Sequence, residues 1–344
     1  MAAEAIDWAA AVRAGQRMAP TGPQVSAEQA RQAVDDLQQF SAKAELIVRD
    51  TTGLGHGLPV EAARVVDRPH WIEATAKGMA ELTAPLAEKL IGRLGRAPRA
   101  KTLAGAQLGV VLSFLSSRVL GQYDPLSMAG PDAAGPGVLL LVAPNIIKVE
   151  RELHVDPVDF RMWVCLHEST HRLQFTAVPW LREHFRSLVA EFGSAIDTDP
   201  SEMLGRMVGA IKGRTEGSSW IETIQSPEQR AVFDQLMALM TLLEGHADHV
   251  MDAVGPAVIP SVGEIRSAFT LRRKKGRGPF DRLLRSLLGM DMKMAQYVKG
   301  AAFVRTVVER AGMDAFNTIW SSPDTLPTRA ETTEPESWMR RVLT

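Results

Sequence analysis

The chain has 344 residues, and its 39 lysines and arginines nearly balance its 40 aspartates and glutamates, giving a formal net charge of -1. This balance gives no support for a nucleic-acid partner or an acidic substrate. A single cysteine, Cys165, excludes an intramolecular disulfide framework. Its aliphatic and aromatic neighbours indicate a buried core thiol rather than a catalytic one.

Nothing in the sequence predicts export or membrane insertion. The first eight residues carry an early acid and no basic-then-apolar pattern, so no secretory signal is expected. The most apolar stretch, residues 103–120, is short and interrupted by polar residues, and its Gly105 and Gly109 form a GxxxG pattern. We interpret it as a core helix packed closely at its glycines rather than a membrane span. The expected location is the cytoplasm, with no membrane partner.

Most elements of the first half are predicted to be helices. Predicted helices cover residues 1–20, 26–49, 69–94 and 102–120, with a glycine-rich turn at 53–59. The second of them begins at a capping box, Ser26-Ala-Glu-Gln29. An apolar run at 138–147 predicts a strand, and Pro144 within it favours an edge position. A fully buried strand is the alternative interpretation of the same run.

A buried helix is predicted after this strand. Asp156 suits the N-cap, Pro157 suits the first helical position, and Pro179 ends the run. Residue 160 and residues 162–166 make this part of the helix apolar on nearly every side, so we expect it to lie in the core. The segment that follows them, residues 167–171, is the one feature of the chain that specifies a chemistry.

Residues 167–171 read His-Glu-Ser-Thr-His, an HExxH motif. His167 and His171 lie one helical turn apart on one face, so both imidazoles can reach one zinc ion, and Glu168 can reach a water on that ion. Buried imidazoles and a buried carboxylate are costly without partners, and a metal supplies the partner. The alternative is that both histidines are ordinary hydrogen-bonded residues.

A second helix offers the third ligand that a catalytic zinc site requires. It is predicted from a capping box at residues 226–229 to the Gly-Pro pair at 255–256. Glu244 and Asp248 are four residues apart and continue the apolar stripe of this helix, where carboxylates need a cation or a strong donor. Gly245 costs about 1 kcal/mol against alanine inside a helix, so it predicts the close approach of another element.

Three polar residues of this second helix are candidates for the third ligand, and a fourth is a candidate for supporting a ligand. We predict Glu244 as the ligand, with Asp248 holding a ligating histidine through that histidine's other ring nitrogen. His246 and His249 point away from the stripe and remain the alternative ligands.

These segments resemble the gluzincin branch of zinc metallopeptidases. They resemble more closely a zincin-like family best known from actinobacteria, whose members are described as zinc-dependent metalloproteases or as associated with biosynthesis of a deazaflavin coenzyme. The residues that carry the resemblance are 163–175 and 243–252, together with 117–125, 289–297, 326–328 and 334–338. The gap from His171 to Glu244 is much longer than in the compact bacterial gluzincins.

The resemblance implies a zincin fold with Zn²⁺ at His167, His171 and Glu244, and with Glu168 as the general base. It also implies that an extended substrate pairs with an edge strand before the HExxH helix, which we assign to residues 138–147.

The remaining candidates concern the oxyanion and substrate charge. Gluzincins often stabilise the oxyanion with a tyrosine or histidine, and Tyr297 is our candidate because it follows the metal helices. Tyr123 is expected in a turn, although it could line the cleft. The basic run at 272–278 is expected to be a solvated loop, which could also attract an acidic substrate or a phosphate.

The sequence therefore predicts a mainly α protein with a small β-sheet (α+β). It would form a single unit over residues 1–344, with an N-terminal helical part at 1–135, a metal-binding core at 136–256 and a C-terminal helical part at 257–344. The expected function is zinc-dependent hydrolysis, most simply of a peptide. An amide hydrolase acting on a small metabolite and a non-catalytic scaffold that binds a partner are the alternatives. No further cofactor site is predicted, and the sequence does not indicate an oligomeric state.

Overall fold

The computed structural model describes the backbone of residues 6–94, 98–125, 137–194, 227–274 and 290–344. Side chains are described over the same ranges except at 85–94, 98, 193–194, 272–274 and 290–299. The helices are α1 (Trp8–Met18), α2 (Ala27–Thr52), α3 (Arg68–Leu94), α4 (Pro98–Ser116), α5 (Ala143–Leu153), α6 (Pro157–Thr176), α7 (Leu181–Ser194), α8 (Pro227–Val254), α9 (Val262–Lys274), α10 (Met290–Ala311), α11 (Met313–Asn317) and α12 (Pro335–Val342). The strands are β1 (Arg64–Val66), β2 (Gly121–Asp124) and β3 (Val138–Val142). The predicted class, mainly α with a small β-sheet, is confirmed.

Two local sequence signals in the first half act as expected. Ser26 accepts a hydrogen bond from the backbone N–H of Gln29, whose side chain accepts one from the backbone N–H of Ser26, so the capping box that opens α2 is confirmed. Glycines let α4 pack against the backbone of α1. A Cβ at Gly105 would lie 2.2 Å from the Asp7 carbonyl oxygen. No helix in the part of the chain that the structure describes is long and apolar enough to cross a membrane.

β3 is the central strand of the described sheet, and the prediction of an edge strand over 138–147 is wrong. The strand order is β1-β3-β2, with β3 parallel to β1 and antiparallel to β2, where Gln122 lies opposite Leu140. The strand is also shorter than predicted, because α5 follows it directly and holds Pro144 in its first turn. Proline fits the first turn of a helix as well as a sheet edge, since neither position uses its missing N–H. Substrate pairing along β3 is therefore excluded, and β2 forms an edge of this sheet.

Helix α6 lies between α2, α8 and β2. Its N-cap, Asp156, accepts hydrogen bonds from the backbone N–H groups of Val158 and Asp159, and Pro157 is its first residue, as predicted. Phe160 and Leu166 are completely buried, in agreement with the expected core position. Because α6 is covered on several sides, its polar side chains face neighbouring elements rather than water, and each of them requires a partner.

Helix α8 crosses α10 at two glycines. A Cβ on Gly245 would lie 2.1 Å from the carbonyl carbon of Gly300, and a Cβ on Gly300 would lie 2.0 Å from the Thr241 carbonyl oxygen. The backbones can approach this closely only where neither residue has a side chain. The close approach predicted at Gly245 is confirmed.

One hydrophobic cluster contains residues from each of the three predicted parts of the chain, including Leu37, Leu166 and Trp338. The C-terminal segment is fixed to it by Trp338, whose indole N–H donates to the Thr325 carbonyl oxygen at 2.8 Å. The division at residues 135 and 256 stays a prediction.

Candidate metal centre

The three predicted ligands converge between α6 and α8. The Nε2 atoms of His167 and His171 are 3.2 Å apart, and Glu244 Oε2 lies 3.7 Å from each of them. Zinc–ligand bonds of about 2.0–2.1 Å in a tetrahedral arrangement put neighbouring ligand atoms roughly 3.3 Å apart. The two imidazoles and the carboxylate therefore have the spacing that one zinc ion requires.

Hydrogen bonds at the far side of each imidazole turn both Nε2 lone pairs inward. His171 Nδ1 lies 3.0 Å from Gln174 Oε1, a pure acceptor, so Nδ1 carries the proton and Nε2 is bare. His167 Nδ1 lies 3.3 Å from the sulfur of Met251, a weak acceptor, which gives the same tautomer. Two lone pairs 3.2 Å apart repel one another unless a cation lies between them. The donor set thus fits a metal ion.

The electrostatics of the site agree with this arrangement. Burial lowers the pKa of His171, but Glu244 and then Glu168 outweigh burial and raise that pKa. The two carboxylates therefore make this position favourable for positive charge, whether it is carried by a proton or by a metal.

The predicted base, Glu168, is buried against the edge strand. A Cβ on Gly121 would lie 2.6 Å from Cγ of Glu168 and 2.9 Å from its Oε1. Gly121 begins β2, so the carboxylate lies directly over the backbone of the strand at the sheet edge. The sequence analysis did not single out Gly121. The signal was present, since a glycine inside a strand often marks the close approach of another group.

The predicted role of Asp248 is wrong. Its carboxylate accepts a hydrogen bond from Arg266 Nη1 at 3.1 Å, and Arg266 Nη2 donates to the Asp248 carbonyl oxygen. The imidazoles of His167 and His171 instead use Met251 and Gln174. Asp248 shares a helical face with Glu244, but its carboxylate turns to Arg266 of α9. Met251, further along α8, is the residue that contacts His167.

The competing histidines occupy other environments. His246 is completely buried between the rings of Phe316 and Trp320, and its Nδ1 lies 3.1 Å from Gln174 Nε2. Burial lowers the pKa of His246 to about 3, so the ring is neutral. His249 is partly buried, and burial lowers its pKa also. In this geometry Glu244, and neither His246 nor His249, lies with His167 and His171 in a group that could hold a metal ion.

Of the two tyrosines, only Tyr123 has a described side chain. It lies in β2 rather than in the predicted turn, and its ring packs 5.9 Å from that of Phe175. Burial raises its pKa, opposed by Arg182, which hydrogen-bonds the hydroxyl. Tyr297 falls in α10 where side chains are outside the described part, so its proposed role stays a prediction. The basic run at 272–278 was expected to be a loop, but residues 272–274 are the last residues of α9, and residues 275–278 are outside the described part.

A family model for zincin-like metallopeptidases matches residues 6–339. The chain belongs to this family. The zincin-like assignment accords with a metal centre built on the HExxH helix, and it shows that the resemblance seen in the sequence extends over nearly the whole chain.

One solved structure is similar to this zincin-like chain over its full length. It is a crystal structure from Chloroflexus aurantiacus, described as a candidate hydrolase with a novel fold, with 33% sequence identity, a TM-score of 0.70 and 98% of each chain covered. No curated protein matches the chain. Together the family and this neighbour support a metal-dependent hydrolase.

Proposed function

We propose that this zincin-like protein is a zinc-dependent hydrolase of gluzincin type that cleaves an amide bond in a peptide. The observation that carries the proposal is the convergence of the Nε2 atoms of His167 and His171 with the Glu244 carboxylate at the spacing of zinc ligands. A zinc ion held by these three residues supplies a Lewis acid for the carbonyl oxygen and lowers the pKa of water towards about 7.

Glu168 moves the proton in this proposal. Its carboxylate takes a proton from the attacking water and delivers it to the nitrogen of the leaving amine. Gly121 lets that carboxylate lie against β2, where a larger residue would displace it. The Glu168 carboxylate therefore lies next to the edge strand β2. A substrate paired with β2 would present its scissile carbonyl beside Glu168.

The strand edge supports an extended substrate. β3 is paired on both sides, whereas β2 is paired on one side within the described sheet, and it runs past Glu168. A peptide added to β2 would gain main-chain hydrogen bonds, which are largely independent of its sequence. Since β2 has only four residues, this pairing favours a short stretch of substrate.

The test uses a peptide library and two matched glycine variants. Gly121→Ala should keep zinc but lose most cleavage, because its methyl group occupies the space of the Glu168 carboxylate. Gly263→Ala is the control, since a Cβ on Gly263 meets nothing within 4 Å. If Gly121→Ala cleaves at the native rate, the contact between β2 and Glu168 is not needed for catalysis. Failure of the zinc-loaded protein to cleave any peptide in the library would refute the proposed peptidase activity.

The shortness of β2 also favours a second candidate, hydrolysis of an amide in a small metabolite. The dependence of kcat/KM on peptide length separates the two. A peptidase that uses the strand edge gains rate as residues are added on either side of the scissile bond. A small-molecule amidase gains nothing and cleaves a single blocked amide equally well.

A further inference from the structure

Gln174 connects the metal centre to the core behind it. It lies on α6 one turn after His171, and its side chain is completely buried. Its oxygen lies 3.0 Å from His171 Nδ1, and its nitrogen lies 2.9 Å from the carbonyl oxygen of Leu243 and 3.1 Å from Nδ1 of His246. Four polar groups thus meet in a space that excludes water.

The contact with Leu243 fixes the orientation of the amide. A carbonyl oxygen only accepts hydrogen bonds, so the atom that faces it must be the amide nitrogen. The second hydrogen of that nitrogen is then donated to His246 Nδ1, and the amide oxygen is left for His171. The reversed amide would place its oxygen against the Leu243 carbonyl oxygen and would lose that hydrogen bond.

We propose that Gln174 is the positioning residue of the metal centre: it holds His171 in the Nδ1–H tautomer with Nε2 towards the metal, and it fixes α8 to α6 at the residue before Glu244. The inference rests on the proposed function only in taking these residues as ligands. A single neutral side chain then controls two of the three ligands, one directly and one through the backbone of Leu243.

The two histidines differ in how firmly they are held. His167 Nδ1 faces the sulfur of Met251, a weak acceptor, whereas His171 Nδ1 faces an amide oxygen whose own nitrogen has two acceptors. Loss of the group that orients a metal-bound histidine lowers metal affinity by about 10–100-fold. Loss of Gln174 should reach that range, because the position of Glu244 is disturbed as well.

Three variants test the proposal by competition of Zn²⁺ with a chromophoric chelator. Gln174→Met matches the glutamine in length and removes every hydrogen bond, so its zinc affinity should fall by about 10–100-fold. Gln174→Glu keeps an acceptor oxygen for His171 Nδ1 but loses the hydrogen bond to the Leu243 carbonyl, so its zinc affinity should lie between those of the native protein and Gln174→Met. Thr170→Val is the control, because Thr170 is also completely buried on α6 but its hydroxyl donates only to the Leu166 carbonyl.

¹⁵N NMR of histidine-labelled protein without metal measures the tautomer of each histidine. A general loss of stability would not change these tautomers. The native protein should show His171 as the Nδ1–H tautomer and His246 as the Nε2–H tautomer. The tautomer of His171 should become mixed in Gln174→Met and should be restored in Gln174→Glu.

Two outcomes would overturn the proposal. One is native zinc affinity and an unchanged His171 tautomer in Gln174→Met. The other is an equal loss of zinc in Gln174→Met and Gln174→Glu with the tautomer unchanged, which would mean that Gln174 only supports packing. Absence of zinc binding in the native protein would instead refute the proposed function, and the tautomers measured without metal would still decide the role of Gln174.

Discussion

Two buried polar clusters lie against helix α6, one towards α2 and one towards α8. The first, the ion-pair cluster, consists of Glu45, Arg49 and Arg172. Glu45 Oε2 lies 2.6 Å from Arg172 Nη2, its other oxygen pairs with Arg49, and Arg49 also donates to the carbonyl oxygen of Pro59. The second is the candidate metal centre, where the imidazoles of His167 and His171 meet the Glu244 carboxylate.

The ion-pair cluster is the more deeply buried, with side chains at most 6% exposed, whereas those of His167 and His171 are 20% and 16% exposed. The clusters also differ in how charge is compensated. The ion-pair cluster contains both signs of charge, so folding alone brings the Glu45 carboxylate to its two arginine partners. The metal centre has its lone pairs and its carboxylate directed at one point, and a cation from solution would complete it. We infer that the first cluster serves the fold and the second serves a ligand, although both belong to the same helix.

The largest expected loss of stability comes from a substitution that breaks the ion-pair cluster. Glu45→Gln leaves Arg49 and Arg172 buried without a carboxylate, and loss of one partner from a buried ion pair costs about 3–5 kcal/mol. Urea unfolding of the metal-free protein measures this loss. Glu28→Gln, an exposed residue of the same helix, is the control. Equal stability of the two variants would show that the cluster does not support the fold.

The next effect separates chemistry from folding at the metal centre. Glu168→Gln is nearly isosteric and cannot take up a proton as a base, so hydrolysis should fall by at least about 10²-fold. Zinc content and the urea midpoint should stay native, in contrast to Glu45→Gln. Glu264→Gln, an exposed residue of α9, should cleave at the native rate. Native activity in Glu168→Gln would exclude this residue as the base.

A smaller effect is expected where α8 crosses α10. Gly245→Ala places a methyl group 2.1 Å from the Gly300 backbone, and overpacking of this kind costs about 1–3 kcal/mol. The strain lies beside Glu244, so zinc affinity should fall together with the free energy of unfolding. Gly263→Ala has open space and should gain slightly from the better helix propensity of alanine. If Gly245→Ala and Gly263→Ala change the free energy of unfolding in the same direction, the close crossing of α8 and α10 is contradicted.

The smallest effect concerns Asp248. Its ion pair with Arg266 is more than a quarter exposed on both sides, so Asp248→Asn should change stability by only about 0–1 kcal/mol. Zinc affinity should remain native, because Met251 and Gln174, not Asp248, contact the imidazoles of His167 and His171. A tenfold loss of affinity in a chelator competition would restore the role that the sequence predicted for Asp248.

The sequence correctly predicted those features that depend on residues close together in the chain. The spacing within HExxH places two histidines on one face wherever α6 lies, and Ser26 and Asp156 cap their helices through neighbours only two or three residues away. Gly245 indicated a close contact because its cost inside a helix is independent of the partner. The Gln174 contact could also have been found, since a residue three positions after His171 lies one turn along the same face.

Pairings between distant segments could not be predicted in this way. Pro144 is compatible with an edge strand and with the first turn of a helix, and only the position of β1 and β2 shows that β3 is central. Asp248 was correctly placed on the face of Glu244, but its partner depends on where α9 packs. The edge strand that lies beside Glu168 comes before β3 in the chain, and Gly121 gains its meaning only from that contact.

The most direct test of the metal centre is elemental analysis of the purified protein and of His167→Ala and His171→Ala. We expect about one zinc per chain in the native protein and in Glu168→Gln, and none in either histidine variant. The circular dichroism spectrum of each variant should remain helical, because the ion-pair cluster on the other side of α6 is intact. Full zinc retention in both histidine variants would contradict the account.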